Sequence, residues 1–388
     1  MTGLLETIPP AILDGLMGMP GAAVPTFPII LGYSVNAYHE ATGIPAQDIM
    51  RDGDKVATAQ LHVARRYHLP FVISMVDLNV IGEAFGSQLT YMPNVIPVLE
   101  TPAIRNIEDI DRLEPRDPRR DGRMPEVLKT AKALKTQFNH PGEFCFGGCE
   151  GPVTAAGSAW GVENLMRNMV KNPRLVHKVL SAVTDTIIEF CNAQLEAGVA
   201  AVGFADPTAS STCISPAYFN EFAMPYLKKI TRKVNSPGFL LHICGESLGI
   251  TGDVSSLGAS RLANILQTST IRHKVLWNPP TRDRMLKFLE HLSMVPKIEI
   301  FSVDRVDLAA AKQALGKRFV ILLGNVSTSV LRFGTPEDVE REARACIRAG
   351  AHGGNYILSS GCDIAPGTPP ANIEALMQTG QSSRFPID

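Results

Sequence analysis

Short, mostly apolar runs alternate with longer amphipathic stretches along most of this chain. Candidate strands fall at 70–75, 143–147, 200–204, 238–244, 298–302, 319–324 and 355–359, with an eighth at 24–31. Each is rich in β-branched or aromatic residues, and most close on Gly, Asp or Ser. Runs that stay apolar at successive positions suit parallel strands covered on both faces. Helices fill the intervals. Ser215-Pro216 opens one that reaches about residue 234, with Ser as N-cap and Pro at the first helical position. Thr335-Pro336-Glu337-Asp338 opens another, to about residue 348 and closed by Gly350, and Thr368-Pro369-Pro370 starts the last.

Repeated strand–helix units with short loops predict right-handed crossovers and a mainly parallel sheet. Seven clear strands and a possible eighth favour a closed barrel of the α/β class over an open doubly wound sheet. No G-x-G-x-x-G follows a first strand, which counts against a dinucleotide-binding fold. The reading is one barrel domain over residues 1–388, with about 1–23 as an N-terminal extension. The least regular segment is 246–280, rich in Ser, Thr, Gly and Asn. The charged stretch 116–123 reads as a solvated loop.

Composition narrows the function. The 388 residues are 45% hydrophobic and 19% charged, enough for a large core. Lys and Arg total 37 against 38 Asp and Glu, so no basic excess points to nucleic acid. No apolar run approaches the ~20 residues that span a bilayer. The seven cysteines, an odd number in a large chain, suit reduced thiols and a cytoplasmic protein better than a disulfide framework.

Three residues carry the chemistry. His242 and Cys244 lie two apart in Leu-Leu-His-Ile-Cys-Gly (240–245), and Cys362 lies in Ser-Ser-Gly-Cys-Asp (359–363). Period-two alternation points the first two to one face. Both segments end predicted strands, and the C-terminal ends of barrel strands carry active sites. Imidazole plus two thiolates is a ligand set for Zn²⁺, and three protein ligands leave a position for substrate. Packing of a core histidine among buried cysteines is the competing reading. In Phe-Gly-Gly-Cys-Glu-Gly-Pro (146–152), Glu150 is the preferred fourth ligand and a catalytic candidate. The alternative is a carboxylate at a helix N-terminus; Cys149 suits packing. Asp77, a second catalytic candidate, and Asn79 lie in Met-Val-Asp-Leu-Asn (75–79). With Asp206 and Asn325 they are candidates for substrate binding, against a role as turn or cap residues.

A free thiol with a pKa of about 8.5 is mostly protonated at neutral pH, and coordination to Zn²⁺ deprotonates it. Two protein thiolates already lower the effective charge of such a metal. A sulfur bound there keeps its nucleophilicity, which suits alkylation of sulfur better than hydrolysis.

Three motifs resemble the uroporphyrinogen decarboxylase superfamily. They are Ser-Pro-Ala-Tyr-Phe-Asn-Glu-Phe-Ala-Met-Pro-Tyr (215–226), Gly-Asn-Val-Ser-Thr-Ser-Val-Leu-Arg-Phe-Gly-Thr-Pro-Glu-Asp-Val (324–339) and Gly-Cys-Asp-Ile-Ala-Pro-Gly-Thr-Pro-Pro-Ala-Asn-Ile (361–373). The resemblance runs from about residue 24 to the end and implies a TIM-type (β/α)8 barrel, in which 246–280 looks like an insertion after the His-x-Cys strand. Within the superfamily the chain looks like the methylcorrinoid:thiol branch, typified by methylcobamide:coenzyme M methyltransferases. That branch has His-x-Cys and a distant Cys as zinc ligands, matched by His242, Cys244 and Cys362. The decarboxylase branch has a His where Cys362 stands, a Tyr near Ser158 and an Arg-rich N-terminal motif; here Tyr33-Ser34-Val35-Asn36 occupies that stretch. Asp77 matches an Asp of the decarboxylases.

The resemblance implies a zinc-dependent transferase moving methyl between a corrinoid and a thiol such as coenzyme M. The chain has no Asp-x-His-x-x-Gly, so the corrinoid would come on a partner protein or as free methylcobalamin. Alternatives are methyl transfer to tetrahydrofolate, transfer from a methylated substrate to a corrinoid protein, a metal-free decarboxylase, and a non-catalytic barrel that binds metal or a corrinoid protein.

Overall fold

The structure is a computed structural model that describes residues 8, 10–94, 96–140, 143–244, 294–304, 306–315 and 320–387. The strands are β1 (Phe71–Ile73), β2 (Gln88–Thr90), β3 (Val98–Thr101), β4 (Phe144–Glu150), β5 (Ala201–Ala205), β6 (Phe239–His242), β7 (Ile298–Ser302), β8 (Ile321–Val326) and β9 (Tyr356–Ser360). Seven of them form one parallel sheet in the order β1-β4-β5-β6-β7-β8-β9, and β2 and β3 pair as a separate antiparallel ribbon. The sheet curls as the greater part of a TIM-type barrel with helices around it. All seven predicted strands are present, displaced by a few residues at their ends. The segment 246–280 lies outside the described residues.

The eighth predicted strand, 24–31, is reduced to one parallel bridge between Thr26 and Leu358 of β9. Its sequence explains this. Pro25 and Pro28 have no N–H to donate. Phe27 N still donates to Leu358 O at 2.9 Å, and Leu358 N donates to Pro25 O at 2.8 Å. Phe27 also meets Phe71 of β1 edge-on, ring centroids 5.2 Å apart. The segment therefore touches both ends of the curled sheet.

Two cores follow from alternation along the strands. Inside the curl, Phe146, Ala201, Ile300, Ile321, Leu323 and Ile357 pack with Phe27 and with Leu16 of the helix Pro10–Leu16. Outside, Cys145, Val202, Leu322 and Leu358 pack against the helices. Each such aliphatic side chain contributes roughly 1.5–3 kcal/mol when fully buried. The helix Pro173–Glu196 shows why the layer forms. Val176, Val179, Leu180, Val183, Ile187 and Phe190 are fully buried at three-and-four spacing. Pro173 stands at its start, and Gly198, with φ at +106°, turns the chain into β5.

Predicted helix starts agree in detail. Ser215 Oγ accepts from Tyr218 N, though the helix that follows contains a π turn over Phe219–Ala223 before Met224–Lys233. Thr335 and Asp338 form a capping box for Pro336–Gly350. The stretch 116–123 departs from expectation. Its middle is exposed, but Arg116 N donates to Thr186 Oγ1 and Arg123 is buried. Arg123 is drawn in by two carboxylates distant in sequence, which a solvated-loop reading of local charge does not register.

Candidate metal centre

The centre is assembled from two strand ends. Glu150, Ala205, His242 and Ser302 share one row across β4, β5, β6 and β7. β6 stops at His242, two residues before Cys244, where the predicted strand continued. The donor atoms of His242, Cys244 and Cys362 nevertheless all lie within 4.8 Å of one another. His242 Nε2 is 3.5 Å from Cys362 Sγ. On its other side, Nδ1 is 2.8 Å from Ser302 Oγ. Such a contact to the remote ring nitrogen fixes the imidazole plane and leaves Nε2 free for a metal.

The loop carrying Cys362 is held from two directions. Gly361 has no Cβ, and one there would run into the Asp304 side chain. Asp363 anchors the other side: its Oδ1 accepts from Leu31 N at 2.7 Å and its Oδ2 from Gly32 N at 3.0 Å. Gly32 begins the helix Gly32–Thr42, so this carboxylate sits on the positive end of a helix. Burial raises the Asp363 pKa to about 7 against those two hydrogen bonds.

The donor set fits zinc. Tetrahedral bonds of about 2.3 Å to sulfur and 2.0–2.1 Å to nitrogen hold N and S about 3.5 Å apart. The Cys244 sulfur, and then burial, hold the Cys362 thiol well above the usual range. Two adjacent thiols cannot both ionise without a cation between them, and a divalent ion removes that conflict.

The other sequence candidates lie apart from this group. Glu150 is buried; its Oε1 accepts from Ile81 N at 2.9 Å, and burial raises its pKa to about 7. Ile81 lies in the first turn of the short helix Val80–Ala84. Cys149 is packed in the outer core, its Sγ 3.9 Å from Glu150 Oε2. Asp77 takes a bidentate Arg123 fork, with Nη1 to Oδ2 at 2.8 Å and Nη2 to Oδ1 at 3.1 Å. Asn79 N also donates to Asp77 Oδ1, while Asn79 Nδ2 donates to Pro97 O. Asp206 caps the helix Pro152–Trp160: Thr154 N and Oγ1 each donate to Oδ1 at 2.7 Å, and Val153 N to Oδ2 at 3.3 Å. Gly151 permits that approach, since a Cβ there would overlap the Asp206 carboxylate. The Asn325 amide bonds both backbone groups of Val306. Ser302, Arg123 and Asp363 were not singled out from the sequence; each acts through a partner far away along the chain.

A family profile described as uroporphyrinogen decarboxylase (URO-D) matches residues 16–275 and 280–382. The chain belongs to that family. Among curated relatives, the methylcobamide:CoM methyltransferase MtaA of Methanosarcina barkeri is 30% identical over 325 residues, covering 83% of this chain and 81% of its own length. The uroporphyrinogen decarboxylase of Chlorobaculum tepidum is 26% identical over 313 residues, covering 78% and 76%. A solved structure described as a methyltransferase from Methanosarcina mazei has a TM-score of 0.72 and 25% identity, covering 95% of this chain and 96% of that one. The family thus includes both chemistries, and the site residues have to separate them. Among the described residues no helix is long and apolar enough to cross a membrane.

Proposed function

We propose that this chain is a methyltransferase that moves a methyl group between a corrinoid and a thiol, at a zinc ion held by His242, Cys244 and Cys362. One observation carries the reading: an imidazole nitrogen and a cysteine sulfur 3.5 Å apart, with a second thiol beside them. A decarboxylase has no use for that set, and the relatives named as methylcobamide:CoM methyltransferases support the choice.

When bound, zinc would keep the substrate sulfur as thiolate. The protein's part is placement. Ser302 holds the imidazole and Asp363 holds the Cys362 loop; the fourth position would be taken by the thiol, and Glu150 stays bonded to Ile81 N. Asp77 is assigned, with Arg123, to shaping the pocket wall, and Asn79, Asp206 and Asn325 to fixing the loops around the mouth. In the transfer the carbon–cobalt bond breaks, its electron pair stays with cobalt, and a carbon–sulfur bond forms. Holding the two partners in line is the main catalytic contribution available to the protein. The corrinoid arrives on a partner protein or as free methylcobalamin, and the cytoplasm is the compartment assigned. The test is spectral loss of methylcobalamin with a panel of thiols, run with wild type and Cys362→Ala. Loss of activity in the variant supports the reading, and full activity in a metal-free variant defeats it.

A further inference from the structure

The antiparallel ribbon of β2 and β3 stands apart from the barrel sheet, and two strands alone make a marginal structure. The residues joining them are tied to other elements. Ala46 N donates to Pro93 O at 2.7 Å, Asn36 Nδ2 to Asn94 O, and Asn79 Nδ2 to Pro97 O at 3.1 Å. Tyr91 Oη donates to Glu83 Oε1 at 3.0 Å, and the Arg51 guanidinium lies over the Tyr91 ring, 4.0 Å from its centroid.

One contact of this segment bears on the metal centre. Ile96 is half-buried against the small core that includes Val35, Ile49 and Val76. It also packs on Gly32. A Cβ added to Gly32 would stand 2.7 Å from Ile96 Cγ2 and 3.4 Å from Asp363 Oδ2. Gly32 N donates to that same carboxylate oxygen at 3.0 Å. The ribbon thus presses on the glycine that Asp363 grips, and Asp363 adjoins Cys362 in the chain.

We propose that Ile96 is a positioning residue of the metal centre. Its Cγ2 methyl keeps the Gly32 turn in place, Leu31 N and Gly32 N hold Asp363, and Asp363 fixes the loop that carries Cys362. This role rests on the zinc reading above. Its signature is shape rather than apolar bulk, because only a side chain branched at Cβ carries a carbon at Cγ2.

The experiment compares Ile96→Val, Ile96→Leu and Ile96→Ala with wild type. The valine variant keeps the β-branch; the leucine variant keeps the bulk and loses it. One readout is zinc affinity by competition with a chelator. The other is the rate at which iodoacetamide alkylates Cys362 in the metal-free chain, followed by peptide mass spectrometry. Ile96→Val should match wild type in both. Ile96→Leu should bind zinc about tenfold more weakly, and its Cys362 should react faster. Ile96→Ala should behave like Ile96→Leu; the other two variants decide the matter if it does not fold. A ranking by apolar volume, with Ile96→Leu equal to wild type, overturns the proposal. Zinc bound equally by all four chains, with equal alkylation rates, overturns it too and leaves the zinc reading standing. A wild type that takes up no zinc while the alkylation order holds would do the reverse.

Discussion

Ser302 Oγ stands 2.8 Å from His242 Nδ1, on the far side of the ring from Cys362. The hydroxyl comes from β7 and the imidazole from β6, in register as neighbours. The pair fixes which ring nitrogen faces the two sulfurs. Ser302→Ala should leave the fold intact and weaken zinc binding about 10- to 100-fold, the usual cost of losing such a partner. Competition against a chelator of known affinity measures it; unchanged affinity would show that the hydroxyl does not orient the ring.

The Arg123–Asp77 fork makes a second prediction. The side chains are 8% and 0% exposed, so neither charge is relieved by solvent. Arg123 also reaches Glu83 through Nε at 2.5 Å. Arg123→Met should cost about 3–5 kcal/mol in urea unfolding, because it strands a buried carboxylate. Adding Asp77→Asn should recover part of that loss. A double variant as unstable as the sum of the singles would refute the coupling.

Asp206 supplies a pH prediction. Burial, opposed by its Thr154 and Val153 hydrogen bonds, raises its pKa to about 6. In the folded state it therefore holds a proton at pH values where the unfolded chain has released it. Stability attributable to this group is greatest below the unfolded value near 4 and is lost as pH rises through about 6. Between pH 4.5 and 7.5, wild type should lose on the order of 2 kcal/mol relative to Asp206→Asn in parallel unfolding titrations. A difference that is flat across that range would contradict the assignment.

How far the sequence reaches can be seen element by element. The parallel strands were legible because burial on both faces leaves no polar alternation. β4 runs on to Glu150, past the expected end at Gly147. Gly148, beyond that expected end, leaves room on the strand: a Cβ there would crowd Met75. His242, Cys244 and Cys362 were legible because their side-chain types are uncommon together at strand ends. Arg123 was misread as solvated because its partner is 46 residues away. Ser302 was missed for the same reason, lying 60 residues from His242 at the end of a short strand with no motif around it. Asp206 caps the helix Pro152–Trp160, the role weighed beside substrate binding, because Gly151 beside the helix start admits a carboxylate.

The measurement closest to the central claim is metal content beside methyl-transfer activity in wild type and Cys362→Ala, purified alike. The account predicts about one zinc ion per wild-type chain, little in the variant, and loss of methylcobalamin turnover together with the metal. A wild-type chain that transfers methyl to thiols while free of zinc, or a Cys362→Ala chain that does so at full rate, would contradict it.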